Sequence, residues 1–470
     1  MAELPRPEDD PMSSGTLQLP DDLVAWLEEA TGDRLVQAHR IAGGGVREGW
    51  FVDFESPLGE RRELFLRCSQ VPLPPNAAFH SLAAEAQVVD ALGRAGGSVP
   101  RVHAIHPSRE AVLLERVAGD TWFSQIKDPD QQLHVAQDFI RGLAVTHRLA
   151  PDDLGLDDVL GPARSAREIA LARIADLRRR GVGKDGALDP LVELSADWLE
   201  ANVPDYEGPV VLVQGDTGPG NFLYQGDHVT AVLDWELCHW GDPMDDLAWL
   251  TLRAVQDTFT HLPDRLREYA ELSGHPIDVD RIWYYRVFAE TTMATLNARD
   301  MDDADQLRDS GTTMIYHQLH RRLWLAALDH GMGLGLAEEV LDLPQNERPD
   351  WDWLYEEVDA MLKAIGGRVD DPLLKRWNAG VLRAVRHLRE RATDGPEAAA
   401  RELAAIEKLV PGPYADLGTA RDALARSFRE GAVTGEEYLR CLWPVIATDD
   451  HLMRTASGVL GTRGWPPLTD

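Results

Sequence analysis

Apolar residues recur along this chain with two periods, and the changes between them mark its parts. Asp21 or Asp22 caps a short helix whose apolar face is Leu23, Val24, Trp26 and Leu27. From Arg34 the helical period is lost. Segments 49–54, 63–67, 101–105 and 111–116 are short, β-leaning and bounded by Gly or Pro. One helix interrupts them, with Leu82, Ala86, Val89 and Leu92 on one face and Gly93, Gly96 and Gly97 at its end. Residues 34–116 therefore read as a small, largely antiparallel sheet plus one helix. After Gly119 the helical period returns, first as a stripe of Val135, Phe139, Ile140, Leu143 and His147. Two apolar strands, 210–213 and 229–233, break this part around a polar loop, and helices resume at 281–296 and about 316–328. The stretch 341–349, LDLPQNERP, has two prolines and three charges and reads as a linker. Beyond it, Leu354, Val358, Met361, Leu362 and Ile365 mark one helix, and Trp377, Val381, Val385 and Leu388 another.

The pattern predicts an α+β chain in five parts. Residues 1–20 are a disordered lead-in, 21–118 a β-rich unit and 119–340 a mostly helical unit; 341–350 is a linker and 351–470 an all-helical domain. With 470 residues, 44% of them apolar, such a chain can bury more than one core. Its 79 Asp and Glu against 47 Lys and Arg give a formal net charge of −32. That field repels nucleic acid and anionic lipid, so neither is an expected partner. Cys68, Cys238 and Cys441 lie far apart with no C-x-x-C, which argues against a disulfide framework or zinc ribbon and for a cytoplasmic setting. No run approaches the roughly 20 apolar residues of a membrane span.

The chemistry concentrates in residues 210–250, VVLVQGDTGPGNFLYQGDHVTAVLDWELCHWGDPMDDLAWL. An apolar strand delivers Asp216 into a loop kept tight by Gly215, Gly218, Pro219 and Gly220. Asn221 follows five residues later, and a second apolar strand ends in Asp234. Two carboxylates and a carboxamide then meet, a set of hard oxygen ligands suited to Mg²⁺ and phosphate. Upstream, the run 41–50, IAGGGVREGW, sets Gly43, Gly44 and Gly45 between β-leaning segments, where backbone N–H groups can approach phosphate oxygens; a plain hairpin loop has the same look. Cys68 and Cys238 read as buried thiols rather than nucleophiles. There is no G-x-S-x-G and no G-x-x-x-x-G-K-[ST], which argues against an α/β-hydrolase and a P-loop NTPase.

These residues resemble the aminoglycoside phosphotransferase and choline kinase-like family. Gly215-Asp216 with Asn221 looks like its catalytic loop, Asp234-Trp235-Glu236 like its metal-binding motif, and Gly241-Asp242-Pro243 with Asp246-Leu247-Ala248-Trp249 like the segment beyond. The resemblance covers about residues 20–335. It implies a bilobal protein-kinase-like fold, with a β-rich N-lobe and a mostly helical C-lobe, that uses ATP and Mg²⁺. Asp216 would then take the proton of a substrate hydroxyl, while Asn221 and Asp234 would hold the metal. Gly43, Gly44 and Gly45 would cover the nucleotide phosphates, and Glu115 and Val117 would belong to an interlobe hinge that reads adenine. Two positions depart from the pattern. Gln214 stands where the family has His, and its amide can still brace the loop. Arg67 stands where a kinase has lysine; it keeps the charge but not the reach, and Glu85 is its expected partner.

The acceptor is expected to be a small-molecule alcohol. Runs 164–184 and 375–391 each carry a local charge of +5 and could be solvated helix faces or could meet an anion such as coenzyme A. GGGVREGW, Arg67, GDTGPGNF and GDPMDDLAWL are similar to a branch of the family joined to some acyl-CoA dehydrogenases, which implies a hydroxyacyl-CoA acceptor. Residues from about 350 are similar to a small helical domain encoded beside such kinases, and there Arg383 and Arg386 would contact CoA phosphates. An antibiotic O-phosphotransferase and a nucleotide-binding pseudokinase or scaffold are the alternatives; oligomeric state is not legible.

Overall fold

The computed structural model describes residues 19–470 except 42–46, 70–72, 74–76, 78, 184, 185 and 302–308. Helix α1 (Asp21–Thr31) leads into a five-stranded antiparallel sheet of β1 (Arg34–Arg40), β2 (Glu48–Glu55), β3 (Arg61–Cys68), β4 (Val102–Ile105) and β5 (Ala111–Glu115), ordered β1-β2-β3-β5-β4. The expected aspartate cap of α1 is not formed. Pro20 occupies the N-cap with no side-chain hydrogen bond, and Asp22 lies in the first turn, paired with Arg109. Helix α2 (Leu82–Arg94), capped by Ser81, joins the two lobes. Its Leu82 and Ala86 pack under Val112 of β5, while Val88, Val89 and Leu92 pack with Leu212, Trp235 and Trp240 beyond the cleft. The lead-in expected over 1–20 falls almost entirely outside the described residues.

The second lobe is helical except for two hairpins. Helices α3 (Pro129–His147), α4 (Pro151–Leu154), α5 (Asp157–Leu160), α6 (Ala166–Arg180) and α7 (Pro190–Ala201) precede β6 (Val211–Val213), β7 (Phe222–Gln225), β8 (His228–Val232) and β9 (His239–Gly241). Strand β6 pairs with β9 and β7 with β8, both antiparallel. Helices α8 (Pro243–Gln256), α9 (Leu262–Ser273), α10 (Val279–Met301) and α11 (Ser310–Met332) complete the lobe. After an irregular stretch come α12 (Trp353–Gly366), α13 (Pro372–Leu409), α14 (Leu417–Arg429), α15 (Gly435–Leu452) and α16 (Arg454–Ser457).

These last helices are not an appendage. Ile406, Leu424, Leu439 and Ile446 share one continuous core with Phe288, Trp324 and Leu328 of α10 and α11. Arg322 of α11 also donates to the carbonyls of Leu460, Gly461 and Arg463 at 2.6–2.7 Å. His317, on the same helix, is mostly buried. Burial, with Arg321 and His320 nearby, holds its imidazole down at about 4, against 6.5 when free. Between those values the unfolded chain takes up a proton that the fold refuses, so stability present above about pH 6.5 is lost as pH falls. His317→Gln should therefore spare the protein about 2 kcal/mol of the stability lost between pH 7 and pH 5. Urea unfolding at the two pH values measures this, and an unchanged pH dependence would refute the assignment.

Candidate active site

Strand alternation builds the roof of the site. Trp50 pairs with Leu66 and Phe51 with Phe65, so Trp50, Val52, Leu64 and Leu66 enter the core under α1 while Phe51, Phe65 and Arg67 take the opposite face. That face covers an interlobe cavity of about 790 Å³. Leu114, Glu115 and Val117 line one end of it, and Leu223, Val232 and Leu233 rise from below. Its far end is ionic, with Arg67, Glu85, Asn221, Asp234 and Glu236.

The floor is held by one buried carboxylate. Asp246 of α8 accepts from the backbone N–H of Gln214 (2.9 Å) and Gly215 (3.0 Å) and from the Thr217 hydroxyl, with His147 Nε2 at 3.0 Å. Gly215 sits at φ 82°, where an added Cβ would come within 2.6 Å of the Leu237 carbonyl oxygen, so only glycine fits the turn that presents Asp216. The Gln214 amide donates to the Leu233 carbonyl at 2.6 Å. It thereby ties the end of β6 to the residue before Asp234, the brace expected from its chemistry.

Asp216 is held from two sides. Asn221 Nδ2 donates to its Oδ2 (2.6 Å) and to its backbone carbonyl (2.8 Å), which leaves Asn221 Oδ1 as that residue's ligand atom. Arg253 of α8 grips the same carboxylate with two nitrogens, Nε meeting Oδ1 at 2.7 Å and Nη2 meeting Oδ2. Gly218, at φ 139°, makes room for this grip, since a Cβ there would lie 2.6 Å from Arg253 Cβ. Burial pushes the Asp216 carboxyl up, and Arg253 opposes it. Asp234 is the one non-glycine residue with positive φ (61°) among those described, in a sparsely populated backbone region found mostly where geometry serves function. Burial works against its ionisation, but Arg67, with Arg253 and Arg47, holds its carboxyl below the usual range.

Above the floor, Arg67 Nη1 meets Glu85 at 2.7 Å, and Nη2 meets Asp234 at 2.7 Å and Glu236 at 2.9 Å. Arginine at this strand position thus forms the ion pair expected with Glu85. Arg47 supplies a second guanidinium, 2.9 Å from Glu85 and 2.8 Å from Glu236. Glu236 is buried beside Asp234, which pushes its carboxyl up to about 7. The donor set suits Mg²⁺: Asn221 Oδ1 and Asp234 supply two hard oxygens, and this ion usually takes its remaining ligands from phosphate and water. Among the described residues no group of three or more His, Cys, Asp or Glu could hold a metal unaided.

The structure brings Asn221, Asp234, Arg67 and Glu85 to one end of the cavity, with Asp216 hydrogen-bonded to Asn221 outside its lining, and sets Glu115 and Val117 at the other end. The Glu115 carboxylate accepts from the Arg101 N–H at 3.1 Å and the Glu115 N–H donates to the Arg101 carbonyl at 2.8 Å, so both are engaged within the chain. Gly43, Gly44 and Gly45 lie outside the described residues. Sequence reasoning missed Arg47, Glu236 as an ion-pair member, Asp246 as the loop's anchor, and Arg253. A signal for the last pair existed: Asp246 and Arg253 are seven residues apart on one helix and so share a face.

The two basic runs differ from the expected anion sites. Arg173 pairs with Asp245, Arg178 with Asp197 and Glu200, and Arg179 and Arg180 with Asp176. Along α13, Arg376 pairs with Asp309, Arg386 with Asp359 and Arg389 with Asp352, and Arg383 donates to the Thr312 hydroxyl. Arg386 thus meets Asp359 through Nε at 2.6 Å, and Arg383 and Arg386 both contact groups of the chain itself. The thiols are buried, and burial pushes Cys68 up to about 12, far from a nucleophile's range.

The sequence profile described as "phosphotransferase enzyme family" matches residues 40–279, just over half of the chain and every residue of the ionic site. The chain belongs to this family. The crystal structure of a Ralstonia eutropha protein provisionally named an aminoglycoside phosphotransferase superimposes with a TM-score of 0.51 at 19% identity, covering 66% of this chain and 97% of that one. This phosphotransferase therefore has the expected bilobal kinase-like fold, followed by its helical C-terminal region. Acyl-CoA dehydrogenase family member 11 of Mus musculus is 40% identical over 98 residues, 20% of this chain and 13% of that protein. The Gallus gallus protein of the same name is 30% identical over 195 residues, 38% of this chain and 24% of that one. The phosphotransferase thus spans only a small part of these curated relatives. None of its described helices is long and apolar enough to cross a membrane.

Proposed function

We infer that this phosphotransferase moves the terminal phosphoryl group of ATP, with Mg²⁺, onto the hydroxyl of a small-molecule alcohol, a hydroxyacyl-CoA thioester. The observation that carries the reading is that Asn221 and Asp234 line the ionic end of one cavity whose other end is apolar, with Asp216 bound to Asn221 at 2.6 Å just behind them. Phe51, Phe65 and Leu114 above and Leu223 below form a slot suited to a purine, with the backbone at Val117 beside it. Arg67 would grip nucleotide phosphates, and Asn221 Oδ1 and Asp234 would hold the cation that offsets their charge. Asp216, fixed by Asn221 and Arg253, would orient the hydroxyl and accept its proton as the oxygen bonds to phosphorus and ADP leaves. Such transfer needs positioning more than a strong base, which suits a carboxylate bound to a guanidinium.

The CoA thioester is supported by the names of the partial relatives and by the branch-like motifs, not by the basic runs. Coupled measurement of ADP release over hydroxyacyl-CoAs, the corresponding free hydroxy acids and aminoglycosides tests it. The expected result is turnover with a hydroxyacyl-CoA and kcat/KM at least 10²-fold lower for the free acid (roughly 2.7 kcal/mol of lost binding). Preferential turnover of an aminoglycoside would replace the acceptor and leave the site reading intact.

A further inference from the structure

More than half of the large apolar side chains that the described residues leave exposed lie within 351–388, on α12, its lead-in and the first half of α13. Leu354, Met361 and Ile365 are spaced by seven and four residues on α12, and Leu374, Val381 and Leu388 by sevens on α13, so each set forms one narrow stripe. These six are 46–56% exposed.

The two stripes emerge on the same side of the layer. The helices run antiparallel and meet along polar edges: Arg386 to Asp359 at 2.6 Å, Arg389 to Asp352 at 2.8 Å, and Asn378 to the Leu362 carbonyl at 2.9 Å. The far side of α13 rests on the rest of the protein, through Arg383 on Thr312 and His387 on the Leu452 carbonyl. On each helix the stripe lies about 100° round from the helix–helix contact. With the partners antiparallel, these rotations carry both stripes to the outside.

We propose that this face is a homodimer interface, in which α12 and α13 pack against the same hairpin of a second copy as a four-helix bundle. The area supports that occupant. The six stripe residues leave on the order of 600 Å² in water, and the flanking Trp351, Trp353 and Leu373 bring this to about 1,000 Å², above the largest patch usual for a monomer. Pairing two copies would bury about 2,000 Å², the size of a stable specific interface.

Sedimentation of the full chain at micromolar concentration tests the proposal. Wild type should run at twice the chain mass. Met361→Glu/Val381→Glu should run at the chain mass, with far-UV circular dichroism and thermal midpoint little changed because both side chains are already half in water. Leu58→Glu, at an 89% exposed site on the β2–β3 turn, should leave the dimer intact. A wild-type monomer up to about 100 μM, or a dimer that survives the double substitution, would overturn the assignment. A monomer that instead bound another protein through this face would also overturn it.

Discussion

Asp234→Ala is expected to lower phosphoryl transfer on the order of 10³-fold or more while the chain still folds. The carboxylate is one of the two side-chain oxygens assigned to the cation, and the neighbouring Glu236 is already held by Arg47 and Arg67. The fold should survive because Arg67 keeps Glu85 and Glu236 when Asp234 is gone. Ala at φ 61° costs about 1 kcal/mol of backbone strain. Asp234→Asn removes the charge without that strain, since Asn tolerates the left-handed region, and it should lose activity nearly as far. If Asp234→Asn kept near-normal turnover, the metal assignment would be wrong whatever Asp234→Ala did.

Arg253→Ala should cost about 10²-fold in kcat, with KM for ATP little changed. Removal of the guanidinium leaves Asp216 buried with only Asn221 beside it and frees the loop that Gly218 packs onto Arg253. Arg253 does not line the nucleotide slot, so nucleotide affinity should hold. Arg253→Lys keeps the charge but not the two-nitrogen grip and should recover only part of the rate. That split separates a positioning role from general destabilisation, which would lower thermal stability in both variants without sorting them by kcat. Full activity in Arg253→Ala would show that Asp216 needs no such hold.

The candidate trio Asp216, Asn221 and Asp234 was legible because each member is fixed by local chemistry. Asp216 and Asn221 share one glycine-bound loop, and Asp234 ends the next apolar strand, so spacing alone carries the arrangement. Arg47 and Arg253 reach the site from outside these two strand ends and look like any surface charge until the fold closes. Glu236, two residues after Asp234, reveals its ion pairs only once Arg47 and Arg67 are brought over it. Strand β1 was missed for a related reason: its residues are largely exposed, so no alternation marks RLVQAHR as a strand. Strand β9 is three residues long and pairs with β6 across the 25 residues 214–238 of intervening loop and hairpin, which no local period can signal. The stripes of α12 and α13 were read correctly as helical, yet periodicity says only that a face is apolar and not what covers it. For the basic runs two readings stayed open, because counting charges along the chain ignores the carboxylates that folding brings opposite.

The account rests on transfer at this site, and a single-turnover experiment tests it most directly. Enzyme in excess would be mixed with ATP labelled in its terminal phosphate, Mg²⁺ and a hydroxyacyl-CoA panel, and the label followed to product. The account predicts that label leaves ATP for an acceptor hydroxyl in wild type and stays on ATP in Asp216→Asn. Nucleotide bound tightly by wild type, with label transferred neither to any acceptor nor to water, would contradict it and leave a nucleotide-binding pseudokinase.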